Sequence, residues 1–197
     1  MKLYDLEPSG NCYKVRLLCA LTQTRLEIVP VDFMAGEHKT ASYLDRNAFG
    51  ELPVLIDGAV TLRDSHAILV YVARKYGGEA WLPLDAAHMA EVIQWLSTSA
   101  NEVQNGPGAA RLVDKFGYAI DKPTTLKRAA ALLPVIDAHL VKNEWLAMGR
   151  PTIADIAVFP YLALSYEGGI PLDPYPHIRQ WIERIKALPH FIPMSGL

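Results

Sequence analysis

Residues 1–78 alternate between strand-like and helix-like patterns of hydrophobic positions. The apolar pair Leu3-Tyr4 predicts a first strand, and the β-rich run over residues 26–31 predicts a second. Between them, side chains recur with the i, i+3, i+4, i+7 spacing of one helix face at Val15, Leu18, Cys19 and Thr22. The order strand, helix, strand predicts a crossover connection and therefore parallel pairing of the two strands.

A hairpin and a second helix complete this first pattern. Residues 53–56 and 59–62 predict two strands joined at Asp57-Gly58, a strong signal for a tight antiparallel turn. Asp64 then predicts a helix N-cap, because its side chain can accept from free N–H groups of the first turn. Gly77-Gly78 is expected to end that helix. The predicted order is βαβ, a polar loop, then ββα.

The rest of the chain predicts helices only. We expect a linker over residues 79–86 and an all-helical domain over residues 87–197. Residues 151–155 contain a capping-box pattern, and Pro176 opens a final amphipathic helix that closes before Pro189. Pro134 and Pro160 fall inside helical patterns, where each is expected to kink or break its helix.

Composition narrows the class of protein. The 197 residues are 51% hydrophobic and 20% charged, which is enough apolar material for a sizeable core. A net charge of −2 without a Lys/Arg run argues against nucleic-acid binding. No apolar stretch reaches the ~18 residues of a membrane helix, and the N-terminus lacks the apolar core of a signal peptide.

The numbers and spacing of cysteine and histidine residues indicate neither a disulfide scaffold nor a metal site. Cys12 and Cys19 are the two cysteines, and they form no C-x-x-C pair. A disulfide scaffold is therefore not expected, and the predicted location is a reducing cytoplasm. The six histidines show no metal-ligand spacing, so no metal is predicted.

The junction of the first strand and helix carries the main candidate chemistry. Ser9, Asn11 and Cys12 lie where a helix N-terminus offers free N–H groups and partial positive charge, which favour an anion such as a thiolate. Ser9 could donate a hydrogen bond to that sulfur. Alternatively, Ser9-Gly10 is a simple turn with Asn11 as helix cap, or Cys12 is itself a reactive thiol.

Three further segments could hold a small peptide. If the Leu52-Pro53 bond is cis, the backbone of Leu52 faces outward and can pair with an extended ligand; an ordinary trans proline is the alternative. Asp64-Ser65 could bind the two charged ends of an amino acid, although a plain N-cap also explains Asp64. His38-Lys39 could hold a second carboxylate from a loop.

Taken together in this order, these segments resemble those of the cytosolic glutathione transferase family along essentially the whole chain. Residues 9–16 look like the catalytic turn of serine-type members, and residues 36–39 are similar to a phi-class loop. Residues 47–55 match the segment around the family's cis-proline, and residues 64–69 resemble its acidic-Ser helix start. The resemblance implies a thioredoxin-like N-terminal domain, an all-helical C-terminal domain, glutathione as co-substrate and usually a homodimer.

The resemblance also implies roles for individual residues. Ser9 would donate to the glutathione thiolate, with Asn11 sharing this work in some bacterial relatives, and Leu52 would pair with the cysteinyl backbone beside Pro53. Asp64 and Ser65 would bind the γ-glutamyl end. His38 or Lys39 would bind the glycyl carboxylate.

Glu51 and Phe49 lie in the segment that resembles the family's cis-proline region. Glu51, in the same glutathione-binding segment as Leu52, stands where many relatives have Gln or Lys, and its negative charge could repel the glycyl carboxylate. Phe49 occupies the place of an aromatic key into a partner subunit, with a core aromatic as the alternative. In the helical domain, five residues are candidates for the electrophile pocket, namely Trp95, Asn101, Asn105, Arg111 and Tyr118.

The leading hypothesis is conjugation, in which the thiolate attacks a small hydrophobic electrophile. A glutathione-dependent disulfide reductase or peroxidase could use the same pocket. A transferase-like binding protein without catalysis is the third hypothesis.

Overall fold

The computed structural model describes residues 1–197 and contains four strands and eight α-helices. The strands are β1 (Lys2–Asp5), β2 (Glu27–Pro30), β3 (Val54–Asp57) and β4 (Val60–Arg63). The helices are α1 (Gly10–Leu21), α2 (Ala41–Leu44), α3 (Ser65–Val72), α4 (Ala86–Thr98), α5 (Ala109–Phe116), α6 (Lys122–Lys142), α7 (Ile153–Ala163) and α8 (Pro176–Lys186).

One mixed sheet organises the first part of the chain. Its strand order is β2-β1-β3-β4, with β1 and β2 parallel and the other two pairs antiparallel. The parallel pair confirms the predicted crossover through α1. Asp57 pairs with Val60 across the turn, and Gly58 has a φ of 60°, so the predicted hairpin is also confirmed. This is the thioredoxin-like half of the molecule.

The polar loop before β3 contains helical structure that the sequence pattern did not predict. A 3-10 turn over Glu37–Lys39 leads into α2, which has only four residues. Tyr43 is the one buried residue of α2, and its hydroxyl donates to the carbonyl of Glu51 at 2.9 Å. An element this short has no hydrophobic periodicity to detect, because a single anchoring side chain holds it.

After β4 the chain is entirely helical. Residues 99–108 form a π-helix, whose turns are wider than those of an α-helix, and this π-helix joins α4 to α5. Helical structure therefore continues from Ala86 to Phe116. Every residue of α7 from Ile153 to Leu162 is buried, which fits a helix that is hydrophobic on all sides. Helix α7 packs against both α1 and α3 of the first domain.

The start of α7 is held by the predicted capping box. Thr152 accepts from the N–H of Ala154, and the carboxylate of Asp155 accepts from the N–H of Thr152 at 2.9 Å. Asp155 also accepts from the N–H of Leu146 at 3.0 Å and from Nε1 of Trp181 at 2.9 Å. Burial raises the pKa of Asp155, and these donors oppose that rise. One buried carboxylate thus joins α7, α8 and the segment before them.

Two prolines are expected from the sequence to kink or break their helices, and neither breaks its helix; a kink stays a prediction. Pro134 lies inside α6 and Pro160 inside α7, and both helices continue past them. A proline removes one backbone hydrogen bond and crowds the preceding turn. In both helices, buried apolar side chains lie on either side of the proline, such as Leu133 and Ile136 in α6. We infer that packing of these side chains outweighs the local cost.

Candidate functional site

A cavity of about 650 Å³ lies between the two domains. The first domain contributes its loops after β1 and β2, the segment before β3 and the start of α3. The helical domain contributes the end of the α4–α5 stretch and α7. Among its lining residues are eight of the predicted site residues, namely Ser9, Asn11, His38, Lys39, Glu51, Leu52, Asp64 and Ser65.

Ser9 is the N-cap of α1. Its backbone is extended (φ −78°, ψ 120°), and its Oγ accepts from the N–H of Cys12 at 3.3 Å. The Ser9 hydroxyl donates to no other group of the chain, so its proton is available to a ligand in the cavity. The alternative that Asn11 caps this helix is therefore wrong, because Ser9 makes the capping bond.

The turn before Ser9 is anchored across the domain boundary. Arg111 on α5 is buried, and its Nη1 donates to the carbonyl of Pro8 at 3.0 Å. Its Nε donates to Glu167, which fixes the guanidinium from the other side. Gly10 packs so close to Tyr161 of α7 that an added Cβ would lie 2.8 Å from the ring. The start of α1 is thus held against the helical domain.

Cys12 lies behind this turn rather than in the cavity. It is completely buried, and its Sγ accepts from the N–H of Leu6 at 3.4 Å. Burial, and secondarily the charge of Asp5, raise the pKa of the Cys12 thiol to about 12. A thiol of this kind stays protonated and inaccessible at neutral pH. Its placement argues against the hypothesis that Cys12 is a reactive nucleophile.

Replacing Cys12 with alanine should therefore change turnover by no more than about twofold, with a modest loss of stability from the small cavity created. Steady-state kinetics and a thermal melt would measure the two effects. A loss of turnover beyond tenfold in a folded variant would restore Cys12 as a catalytic candidate.

Leu52 presents free backbone groups at the cavity. The Leu52–Pro53 peptide bond is cis. Neither the N–H nor the C=O of Leu52 takes part in a hydrogen bond within the chain, and Leu52 lines the cavity. Pro53, the residue before β3, is buried and does not line the cavity. Leu52 therefore offers one donor and one acceptor to an extended ligand.

Asp64 and Ser65 form the entrance to α3. Asp64 has a φ of 72°, unusual for a residue with a side chain, and its Oδ1 accepts from the N–H groups of His66 and Ala67 at 3.0 and 2.9 Å. The predicted N-cap is therefore confirmed. Ser65 is buried, and its hydroxyl donates to Oδ1 of Asn11 at 3.3 Å. Asp64 also lines the cavity, so a cap role and a ligand role are compatible.

The opposite end of the cavity carries His38 and Lys39. His38 stacks on Phe33 with ring centroids 4.0 Å apart, and its buried Nδ1 has no partner in the chain. Burial and then the charge of Lys39 lower the pKa of His38. Lys39 donates to the carbonyls of Phe49 and Gly50 at 3.2 and 2.9 Å, which holds its ammonium at the cavity wall.

Phe49 itself is 59% exposed, and the Arg63 guanidinium lies 4.0 Å from its ring centroid. The alternative that Phe49 is a core aromatic is therefore wrong. Its proposed contact with a partner subunit stays a prediction.

A polar cluster lies buried beneath Asn11. The Nζ of Lys14, on the next turn of α1, is 2.9 Å from Oδ1 of Asn11, 3.3 Å from Nε2 of His66 and 3.5 Å from Oγ of Ser99. Burial lowers the pKa of Lys14 to about 7, although the charge of Asp64 opposes this. Burial and then the charge of Lys14 lower the pKa of His66 to about 4. No pattern in the sequence predicts this cluster, because a lysine on a helix is ordinarily exposed to solvent.

Of the five candidates in the helical domain, Arg111 and Tyr118 line the cavity. Trp95 lines a separate cavity between α4 and α6, and Asn101 and Asn105 line neither. Residues of the helical wall that the pattern did not single out include Ala100, Gln104, Leu112, Phe116 and Tyr161. No group of three or more His, Cys, Asp or Glu side chains has the arrangement of a metal site, and no helix is both long and apolar enough to span a bilayer.

Comparison with known proteins gives a consistent result. The family model described as glutathione S-transferase, N-terminal domain, matches residues 1–74, and the corresponding C-terminal domain model matches residues 87–189. Glutathione S-transferase 3 of Zea mays is 35% identical over 208 aligned positions, covering 97% of this chain and 91% of the maize protein.

Solved structures agree. A glutathione S-transferase from Pseudomonas fluorescens superposes with a TM-score of 0.92 at 28% identity, covering 98% of both chains. A glutathione transferase homologue from Drosophila mojavensis, crystallised with bound glutathione, gives a TM-score of 0.86 at 25% identity and covers 95% of this chain and 88% of that one.

A thioredoxin-like domain, an all-helical domain and a peptide-sized cavity between them define a glutathione-dependent transferase. The chain belongs to the glutathione S-transferase family, and its enzyme class is that of a glutathione transferase. Glutathione is the co-substrate that this family binds.

Proposed function

We propose that this chain binds glutathione in the interdomain cavity and activates its thiol through Ser9 for attack on a small hydrophobic electrophile. The observation that carries the proposal is the free hydroxyl proton of Ser9 at the N-terminus of α1. A charge-assisted hydrogen bond contributes about 1.5–3 kcal/mol and a helix terminus about 0.3–1 kcal/mol. Lowering a thiol pKa by two units needs about 2.7 kcal/mol, so the two effects together suffice.

The chemical step is a nucleophilic substitution or addition at carbon. The thiol proton leaves to solvent, and Ser9 keeps its own proton while donating to the sulfur anion. The sulfur electron pair then forms a C–S bond; in a substitution, the leaving group departs with the electron pair of the bond it breaks. Stabilising the anion and orienting the two reactants are the contributions expected of the protein.

Glutathione would extend along the first-domain wall. The free N–H and C=O of Leu52 would pair with its cysteinyl residue as in strand addition. The carboxylate of Asp64 would attract its γ-glutamyl ammonium, and Ser65 with the N–H groups at the start of α3 would receive the α-carboxylate. Lys39 and the unpartnered Nδ1 of His38 would receive the glycyl carboxylate.

The electrophile would occupy the helical wall of the cavity. Leu112, Phe116 and Tyr118 supply apolar and aromatic surface there. Such a wall accepts hydrophobic molecules of many shapes, since burial of apolar area is not directional.

A second candidate, glutathione-dependent disulfide reduction, is favoured by Asn11, whose side chain lines the cavity next to Ser9. Cys12 is buried, so the sulfur that attacks a disulfide in this pocket would also be that of glutathione.

The test is a direct comparison on the purified wild-type chain. We expect retention on immobilised glutathione, and faster reaction of glutathione with chlorodinitrobenzene than with hydroxyethyl disulfide. Faster disulfide reduction would favour the second candidate. A chain that is not retained and catalyses neither reaction would be a transferase-like binding protein, and the proposal would be wrong.

Three further properties complete the proposal. We infer a homodimer, because Phe49 is an exposed aromatic at the place of the family's intersubunit key. We infer a cytoplasmic location, because both cysteines are free thiols and glutathione is the reductant of that compartment. Residues 79–86 are the proposed linker between the domains.

A further inference from the structure

Lys14 is a buried amine without a carboxylate partner. Its side chain is completely buried on the inner face of α1, and it forms no salt bridge. Three uncharged polar groups lie within 3.5 Å of its Nζ: Oδ1 of Asn11 and Oγ of Ser99, which accept, and Nε2 of His66, whose role depends on its tautomer. The face of the Tyr161 ring lies 5.0 Å away and also favours a cation. Buried charges are ordinarily paired, so the counter-charge is missing from the protein itself.

The groups around Lys14 come from three other elements, and none neutralises it. His66 on α3 is uncharged at neutral pH, because its pKa is lowered to about 4. Asp64, the N-cap of α3, is the one nearby carboxylate that favours the ammonium, and its Oδ1 is occupied by helix N–H groups. Tyr161 on α7 has a raised pKa through burial and stays protonated. Ser99 donates its proton to the carbonyl of Ala157 at 2.8 Å.

Lys14 also fixes the orientation of the Asn11 amide. Because an ammonium can only donate, the atom of Asn11 that faces it must be the carbonyl oxygen. That oxygen also accepts from the hydroxyl of Ser65 at 3.3 Å. The amide nitrogen of Asn11 forms no hydrogen bond within the chain, and Asn11 lines the cavity next to Ser9. The amide therefore has two N–H groups available to a ligand.

We propose that Lys14 is a positioning residue that holds the Asn11 amide as a donor to the glutathione sulfur and supplies the buried positive charge that balances the thiolate. The inference rests on the proposed function, since it needs glutathione in the cavity. The charge acts through one side chain: the ammonium polarises the Asn11 carbonyl, which strengthens donation from the amide nitrogen. Neutral pH lies near the pKa of Lys14, so thiolate binding would draw the amine toward its ammonium form.

The test replaces Lys14 with methionine, which keeps the length of the side chain and removes the charge. We expect the thiol pKa of bound glutathione, measured by ultraviolet thiolate absorbance, to rise by about one unit, and turnover at neutral pH to fall about tenfold. The KM for glutathione should change less than about threefold, because binding groups elsewhere remain. Lys2→Met, which removes an exposed lysine paired with Glu27, is the control and should shift neither quantity.

Thermal stability separates positioning from structural support. Because the folded pKa of Lys14 lies well below its ordinary value of 10.5, folding favours the neutral amine. Burial of the Lys14 ammonium therefore lowers the stability of the folded state by its full amount below about pH 7. This loss of stability disappears as the pH rises toward 10.5. We expect Lys14→Met to melt at a higher temperature than wild type at low pH, with a smaller difference at high pH. Lower activity with higher stability would support the proposal; lower activity with lower stability would overturn it.

The Asn11→Ala variant and a titration of Lys14 in the wild type test the role of Lys14 further. Asn11→Ala should raise the bound thiol pKa by at least as much as Lys14→Met, and the double variant should add little. In wild type, the Lys14 amine, observed by nitrogen NMR, should titrate at higher pH with glutathione than with S-methylglutathione, which has no thiol to ionise. The role of Lys14 would be rejected if its amine titrated at the same pH with both ligands, or if Lys14→Met left the thiol pKa of bound glutathione unchanged. The proposed function would still stand in either case, provided that the wild type conjugates glutathione.

Discussion

Replacing Ser9 with alanine is expected to lower the turnover of glutathione conjugation at least tenfold, while the Kd for glutathione changes less than severalfold. The lost hydroxyl proton is the donor proposed for the thiolate, and a charge-assisted bond of about 1.5–3 kcal/mol corresponds to roughly ten- to 150-fold. Binding is expected to change little, because Leu52, Asp64 and Lys39 are the residues proposed to contact other parts of the ligand. Steady-state kinetics and equilibrium titration measure the two quantities.

The same substitution also removes the cap of α1, which costs about 1 kcal/mol of stability. The pH profile separates the two effects. If Ser9 stabilises the thiolate, the acidic limb of the kcat/KM profile should move to higher pH by one to two units, and activity should recover in alkaline buffer. Ser42→Ala, which removes an exposed hydroxyl on α2, is the matched control. An unmoved profile with unchanged turnover would reject Ser9, and a loss in Asn11→Ala alone would reassign its role.

Replacing Asp155 with alanine should lower the free energy of unfolding by about 3 kcal/mol or more, because three buried donors lose their acceptor. Its carboxylate satisfies the backbone N–H groups of Leu146 and Thr152 and the indole N–H of Trp181. Each buried donor left without a partner costs about 1–3 kcal/mol. Chemical denaturation of the folded variant measures the loss, and we expect kcat at low temperature to stay close to wild type.

Two further variants test whether the loss of stability is specific to the buried carboxylate of Asp155. Asp155→Asn keeps the shape and one carbonyl oxygen, so an intermediate loss is expected. Asp137→Ala removes a partly exposed carboxylate that accepts from the N–H groups of His177 and Ile178 at the start of α8. Its expected cost is about 1 kcal/mol, as for an ordinary helix cap. Equal losses in the alanine variants of Asp155 and Asp137 would contradict the central role of Asp155.

The features that the sequence predicted correctly depend on neighbouring residues. Asp64 caps α3, Thr152 and Asp155 form a capping box, and Asp57-Gly58 turns the hairpin, because in each case the interacting groups are within a few residues of one another. The parallel pairing of β1 and β2 followed from the crossover rule. All the residues that form each of these features lie within one short segment, so the feature can be predicted from that segment alone.

The features that the sequence did not predict depend on distant contacts. Pro134 and Pro160 continue their helices because packing from other elements supports them. The isomer of the Leu52–Pro53 bond, which the sequence left open, is set by tertiary context. The burial of Lys14 needs Ser99 and Tyr161, which are far away along the chain. No pattern local to α1 distinguishes that lysine from a solvated one.

The contact of α1 and α3 with α7 has a consequence for any attempt to shorten the chain. One hydrophobic core joins the domains: Leu17 and Leu69 belong to the same cluster as Ile156, and the rings of Tyr13 and Phe159 lie 6.4 Å apart. A fragment ending in the linker would expose this surface to water and invite aggregation. We therefore expect the N-terminal domain not to fold stably on its own, and the whole chain to unfold in one cooperative transition.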